Sequence, residues 1–425
     1  MDYFEYRGSA MYCEEVSLRE LCMQYGTPLY VYSHRTLSRH FKVFDEALSE
    51  ISHIICYAAK ANSNLAILSA ISKLGGGADV VSGGEFFKCL KAGISPSKIV
   101  FSGVGKTIQE LEYVLRNRIL LLSVESFSEL QQISAVAKKF GTKAPISLRL
   151  NPDVNPNTHP YISTGLKKNK FGLTQDVLMS LFEAAKKDPH LDPIGLNVHI
   201  GSQITETSPF VEAVTIACDV IRKLRKQGIA IQYLDCGGGL GVRYREESPP
   251  SPSDYASCLI PLIKDLDLTL LIEPGRALVA NAGILLTKVI YVKKTLEKTF
   301  VIVDAGMNDL IRPALYGAQH EIEPVHRNFR PHSRHTMKAD IVGPICESSD
   351  FLAKDREMEE VFEGDLLCIR TAGAYGFAMA SQYNSRPRPP EVLVRDDQSY
   401  VVRQRESFDD LIRGEKIPDW LQGNV

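Results

Sequence analysis

Between positions 54 and 273 the chain alternates short, nearly unbroken apolar runs with longer stretches whose apolar residues recur three or four positions apart. Strands buried on both faces read as continuous apolar runs, and the intervening helical period belongs to segments that cover them. The expected strands are 54–58, 78–81, 99–101, 119–124, 146–150, 194–199, 231–234 and 269–272. Eight such units in series predict an α/β fold, a (β/α)8 barrel, whose chemistry gathers just past the C-terminal strand ends. Those places hold Lys60, Ser82, Ser102, Glu125, Asn151, His199, Gly237 and Glu273.

Past Gly283 the helical period disappears, and β-prone runs follow at 284–291, 299–303, 338–342, 365–371, 391–394 and 400–403. This predicts a second, all-β unit, a sandwich or barrel. A further β-prone run at 29–32 precedes a helical stretch at 35–50. The expected division is an N-terminal segment 1–35 that lends a strand to the β domain, a barrel 36–282 and a β domain 283–425. A length of 425 residues exceeds what one core usually organises. The proline-rich stretches 248–252 and 386–390 read as stiff loops.

Net charge is -2 and charged residues make up 24 %, which argues against a nucleic-acid surface or a polybasic membrane patch. Nine cysteines without a Cys-x-x-Cys pair fit a reducing compartment, and no metal site is indicated. No segment has the apolar length to span a bilayer, so a cytoplasmic protein with a small-molecule partner is expected.

The chemistry begins at Lys60, where a lysine closing a buried strand is placed to form an imine. Desolvation is expected to depress its pKa from about 10.4. The run Gly237, Gly238, Gly239 follows the seventh strand, where backbone N–H groups approach a phosphate without Cβ interference. A monophosphate fits this position better than a dinucleotide, whose glycine loop follows the first strand. Glu273-Pro274-Gly275-Arg276 puts a carboxylate, a free backbone amide and a guanidinium at the eighth strand end. With pyridoxal phosphate, Glu273 would pair with the ring nitrogen and His199 would lie on the ring face. Three signals are discounted. The segment 103–107 lacks the first glycine of a P-loop, His332 and His335 lie in a basic loop, and Gly75-Gly76-Gly77 reads as a helix stop and turn.

Tyr57-Ala58-Ala59-Lys60-Ala61-Asn62, Asp79-Val80-Val81-Ser82-Gly83-Gly84-Glu85, His199-Ile200-Gly201-Ser202 and Glu273-Pro274-Gly275-Arg276 together resemble the pyridoxal-phosphate decarboxylases built on the alanine-racemase-like barrel. The segments 304–316, Gly343-Pro344-Ile345-Cys346-Glu347-Ser348-Ser349-Asp350 and Gly373-Ala374-Tyr375-Gly376 resemble those of the diaminopimelate decarboxylase family. The resemblance implies pyridoxal 5'-phosphate held covalently by Lys60, with Asp79, His199, Ser202, Gly237, Gly238, Gly239, Glu273, Gly275, Arg276 and Tyr375 around it. It implies that Arg276, Arg312, Tyr316, Glu347 and Tyr375 bind meso-diaminopimelate, and that Cys346 donates the proton completing L-lysine. It further implies a homodimer with shared active sites. Two rivals stand beside it: a related decarboxylase acting on ornithine, arginine or carboxynorspermidine, and a non-catalytic pyridoxal-phosphate carrier. Arg312 and Glu347 speak against the first, and Lys60 with Cys346 against the second. A racemase would favour a cation opposite the ring nitrogen, where Glu273 stands.

Overall fold

The apolar runs become a closed barrel of eight parallel strands, hydrogen-bonded in sequence order with the eighth returning to the first. The strands are His53–Ala58, Gly77–Val80, Ile99–Phe101, Leu121–Val124, Ala144–Leu150, Leu191–Val198, Tyr233–Asp235 and Thr269–Ile272. Closure is set by Leu270, Leu271 and Ile272 pairing with His53, Ile54 and Ile55. Inside, Cys56, Val100, Leu121 and Leu271 form a buried apolar cluster. This computed structural model describes residues 2–155, 170–327 and 336–421.

Helices outside the barrel start where the sequence supplies caps. Thr107 and Glu110 form a reciprocal capping box on Ile108–Arg116, and Ser126 accepts from the Glu129 N–H at the start of Phe127–Lys139. The stretch read as a stiff proline loop ends as a cap: Ser251 caps Pro252–Ile263, with proline at the first helical position, where its missing N–H costs nothing. One compact unit consists of Met1–Tyr3, Ser33–Gly283 and Thr371–Ala378, so the segment carrying Tyr375 packs with barrel residues.

The other unit comprises Phe4–Tyr32, Ile284–Arg370 and Met379–Val425. Its larger sheet runs in the order Phe351–Glu359, Thr336–Val342, Thr299–Val303, Gly283–Lys294, Leu29–Ser33, Glu391–Arg395 and Gln398–Arg403, with Leu366–Ile369 and Ile322–Pro324 added through Gly283–Lys294. A separate three-stranded sheet holds Phe4–Arg7, Ala10–Cys13 and Val16–Ser17. Phe4, Met11, Leu29, Val31, Ile284, Leu286, Cys368 and Val392 pack into the core of this unit.

Candidate active site

Lys60 sits in the single turn Ala59–Ala61 that follows the first barrel strand, and its Nζ donates to Asp79 Oδ2 at 3.0 Å. The Asp79 side chain is fully enclosed, whereas Lys60 keeps 38 % of its side-chain surface. The expectation of a depressed amine is corrected. Burial does favour the neutral form, but the Asp79 carboxylate, with Tyr375 and Glu273, outweighs it and pushes the pKa above its ordinary value. The free Lys60 side chain is an ammonium paired with the Asp79 carboxylate.

Glu273 closes the eighth strand's path, its N–H donating to Gly237 O at 2.7 Å and its Oε1 accepting from Ser102 Oγ at 3.2 Å. Burial pushes its carboxyl well up, Asp235 and Asp79 add to the shift, and Lys60 opposes it. Asp235, at the end of the seventh strand, is also fully buried and is pushed up to about 6, chiefly by burial. Its Oδ1 accepts from the Gly237 N–H at 2.9 Å. Sequence reading passed over Asp235, although a carboxylate closing a short strand two positions before a glycine run was a visible signal.

The glycine loop is pressed against its neighbours. A Cβ at Gly237 would meet His199 Nδ1 at 2.4 Å, one at Gly238 the Glu273 carbonyl oxygen at 2.2 Å, and one at Gly239 the Gly201 carbonyl oxygen at 2.6 Å. Gly237 and Gly239 also have φ of 64° and 111°, a region that side chains disfavour. The Gly238 N–H donates to His199 Nδ1 at 3.2 Å, which fixes the imidazole proton on Nε2. Burial, then Arg149 and Lys60, hold the His199 pKa well below the usual value, so the ring is neutral. Arg276 donates to Ser202 Oγ at 3.0 Å and to Tyr244 Oη, and lies 5.0 Å from the Tyr375 ring centroid. The Tyr375 N–H donates to Ala61 O at 2.8 Å, and a Cβ at Gly275 would come within 3.4 Å of the Tyr375 hydroxyl.

On the β unit, Arg312 and Tyr316 begin and end the short helix Arg312–Tyr316. Arg312 is buried and its Nη1 lies 2.8 Å from His320 Nε2, while His320 Nδ1 lies 2.8 Å from Arg370 O. Because the guanidinium only donates, His320 accepts through Nε2 and carries its proton on Nδ1. Cys346 and Glu347 lie exposed on one loop. The Cys346 N–H donates to Asn384 Oδ1 at 2.8 Å, and Glu347 accepts from Tyr383 Oη at 2.8 Å and from Ser349 Oγ. Hydrogen bonds from Ser349 and Tyr383 lower the Glu347 pKa, so it is a carboxylate.

Residues 34–280 match the pyridoxal binding domain of the pyridoxal-dependent decarboxylases. The chain belongs to that decarboxylase family. It is 52 % identical over 413 residues to a diaminopimelate decarboxylase of Vibrio cholerae, covering 97 % of this chain and 98 % of the relative. A Pseudomonas aeruginosa diaminopimelate decarboxylase is 48 % identical, over 98 % of this chain and 99 % of its own. Among solved structures, the Helicobacter pylori diaminopimelate decarboxylase complexed with L-lysine has a TM-score of 0.90 at 46 % identity, covering 93 % of this chain and 98 % of that one. The M. jannaschii diaminopimelate decarboxylase in complex with L-lysine gives 0.94 at 39 %, over 99 % of both chains.

The barrel residues fit the cofactor of this decarboxylase family. Asp79, Asp235 and Glu273 are three buried carboxyls beside one lysine, and Asp79 Oδ1 has no hydrogen-bond partner. Such an acidic floor suits a ring with a protonatable nitrogen. The loop that excludes Cβ atoms suits a phosphate received by backbone N–H groups. Thus Lys60, Asp79, His199, Ser202, Gly237, Gly238, Gly239, Glu273, Gly275, Arg276 and Tyr375 all belong to the barrel unit, and Arg312, Tyr316, Cys346 and Glu347 to the β unit.

The discounted signals have structural roles where they are described. Lys106, in the P-loop-like segment, is fully buried and donates to Glu129 Oε1 and Gly103 O, each at 2.7 Å. Gly75 and Gly76 follow the helix Leu65–Lys73 as expected, but Gly77 already belongs to the second strand, where a Cβ would meet Lys98 O at 2.0 Å. His332 and His335 lie outside the described residues. Among the described residues no cluster of three or more His, Cys, Asp or Glu is arranged to hold a metal ion.

Proposed function

We propose that this chain decarboxylates meso-2,6-diaminopimelate to L-lysine and CO2 with pyridoxal 5'-phosphate as cofactor, the last step of lysine biosynthesis by the diaminopimelate route. The observation that carries the reading is the Lys60–Asp79 pair beside buried Glu273 and the glycine loop, in a chain whose near-full-length relatives are diaminopimelate decarboxylases. Bound pyridoxal phosphate supplies an electron-accepting ring that takes up the pair left as CO2 departs.

The protein's part follows from its own groups. Lys60 must lose a proton before its nitrogen attacks a carbonyl, and Asp79 Oδ2 at 3.0 Å is placed to receive it. Gly239, Gly275 and the Arg276 backbone hold the phosphate, Gly237 and Gly238 shape the loop through their N–H bonds to Asp235 and His199, and Ser202 steadies the Arg276 guanidinium. Glu273 keeps the ring nitrogen protonated, and neutral His199 covers one ring face against water. Arg276, Arg312, Tyr316 and Tyr375 supply donors for substrate carboxylates, and the Glu347 carboxylate accepts from the distal ammonium. Cys346 returns the proton to the carbon that loses CO2.

The working form is a homodimer in which Cys346 and Glu347 serve the partner copy's site; their exposure on the β unit supports this. A cytoplasmic location belongs to the same proposal. Among the described residues no helix is long and apolar enough to cross a membrane. Incubation with meso-diaminopimelate and pyridoxal phosphate is expected to yield lysine and CO2 in equal amounts. Lys60→Ala should lose nearly all turnover and the visible absorbance of covalently held cofactor. Faster CO2 release from ornithine or arginine would refute the substrate, and full turnover by Lys60→Ala would refute the chemistry.

A further inference from the structure

Ser102 follows the third barrel strand, Ile99–Phe101, and lies outside the set of residues that the family resemblance places around the cofactor. It is nonetheless buried, and its Oγ donates to Glu273 Oε1 at 3.2 Å. In the ring of strands the third and the eighth are separated by the first and second, so this bond spans the barrel mouth rather than joining sheet neighbours. Ser102 is itself anchored. Its N–H donates to Val80 O at 2.9 Å, continuing the pairing of the second and third strands, in which Val80 faces Phe101.

Glu273 needs such a partner. Its backbone is fixed by the N–H bond to Gly237 O at 2.7 Å and by the close passage of Gly238, where a Cβ would meet Glu273 O at 2.2 Å. Neither contact reaches the carboxyl. The last torsion of a glutamate joins an sp3 to an sp2 carbon and has a broad, roughly twofold profile, so the carboxyl plane is undetermined until a donor engages one oxygen. The Ser102 hydroxyl engages Oε1. Carboxylates such as Asp79 and Asp235 only accept, so they cannot hold an ionised Glu273 in this way.

We propose that Ser102 is a positioning residue for the cofactor: by holding Oε1 it turns the Glu273 carboxyl so that Oε2 is the oxygen offered to the ring nitrogen. The inference rests on the cofactor reading above. A ring nitrogen that meets an already oriented oxygen loses no binding energy to ordering the carboxyl, and that saving is the hydroxyl's contribution. The aldehyde and the phosphate are received elsewhere, by Lys60 and the glycine loop. The effect of Ser102 is therefore confined to one ring atom.

The test is equilibrium dialysis of full-length apo-protein with two ligands, pyridoxal 5'-phosphate and its deaza analogue, which carries C–H in place of the ring nitrogen. Ser102→Ala should bind pyridoxal phosphate about 3- to 10-fold more weakly, the loss of one orienting hydrogen bond, while its affinity for the deaza analogue stays within about twofold of wild type. The ring atom thus serves as the second change in a double-mutant cycle. Ser102→Thr keeps the hydroxyl and should stay within about twofold of wild type for both ligands. A serine that only supported the fold would lower both affinities together. Equal penalties for the two ligands, wild-type affinity of Ser102→Ala for pyridoxal phosphate, or a Ser102→Thr variant as weak as Ser102→Ala would overturn the inference alone. Should Ser102→Ala not fold, Ser102→Cys, close in size and a far weaker donor, carries the same expected pattern. Failure of the wild-type protein to bind pyridoxal phosphate would overturn the cofactor reading itself, and this inference with it.

Discussion

Gly238→Ala tests how closely the glycine loop and Glu273 are coupled. An added Cβ falls 2.2 Å from Glu273 O and 3.1 Å from its carbonyl carbon, both backbone atoms that cannot rotate aside. Since a relaxed carbon–oxygen contact needs about 3.5 Å, roughly 1 Å must open between the loop and the eighth strand end. Gly238 does not have a left-handed backbone, so the whole effect is this collision. Overpacking of this kind costs about 1–3 kcal/mol of stability. Misplacing a reacting group by 1 Å costs about 100-fold in rate. Urea unfolding of the apo-protein, cofactor affinity and lysine formation should all be measured, with Gly105→Ala as control because its Cβ meets nothing within 4 Å. Near wild-type turnover and affinity in Gly238→Ala would refute the claim that loop and acid form one rigid frame.

Lys106→Met should lose about 3–5 kcal/mol in urea unfolding, because it strips the buried Glu129 carboxylate of its cation while leaving Lys60, Glu273 and the glycine loop unchanged. Tyr383→Phe removes one of two side-chain donors to Glu347, and is expected to raise KM for diaminopimelate several-fold with a smaller change in kcat; the reverse pattern would count against a substrate-positioning loop. Glu406 is partly buried, which raises its pKa, but hydrogen bonds from Arg388 and Gln382 prevail and lower it from 4.5 to about 2. Its stabilising contribution is therefore present above about pH 4.5 and is lost as pH falls towards 2, so the stability gap between wild type and Glu406→Gln should shrink over that window. A gap that stays constant would mean the pair contributes nothing through ionisation.

The chain's local pattern determined the barrel. Strands buried on both faces announce themselves as apolar runs, and the reading of 99–101, 269–272 and 299–303 coincides with Ile99–Phe101, Thr269–Ile272 and Thr299–Val303. It also placed Lys60, His199, Gly237 and Glu273 at strand ends, because order along a right-handed series of strands and crossovers fixes which ends share a face. Other features depended on partners distant in sequence. Phe351–Glu359 went unread because Lys354, Asp355, Arg356 and Glu357 mask any alternation; pairing with Thr336–Val342 makes it a strand. The Lys60 pKa turned on Asp79, 19 residues away, so desolvation alone gave the wrong direction. The upward shift at Asp235 comes chiefly from burial, which closing the sheet imposes on it. Hydrophobic burial is written in local periodicity, whereas a charge state is fixed by the field of every group that folding brings within a few ångströms.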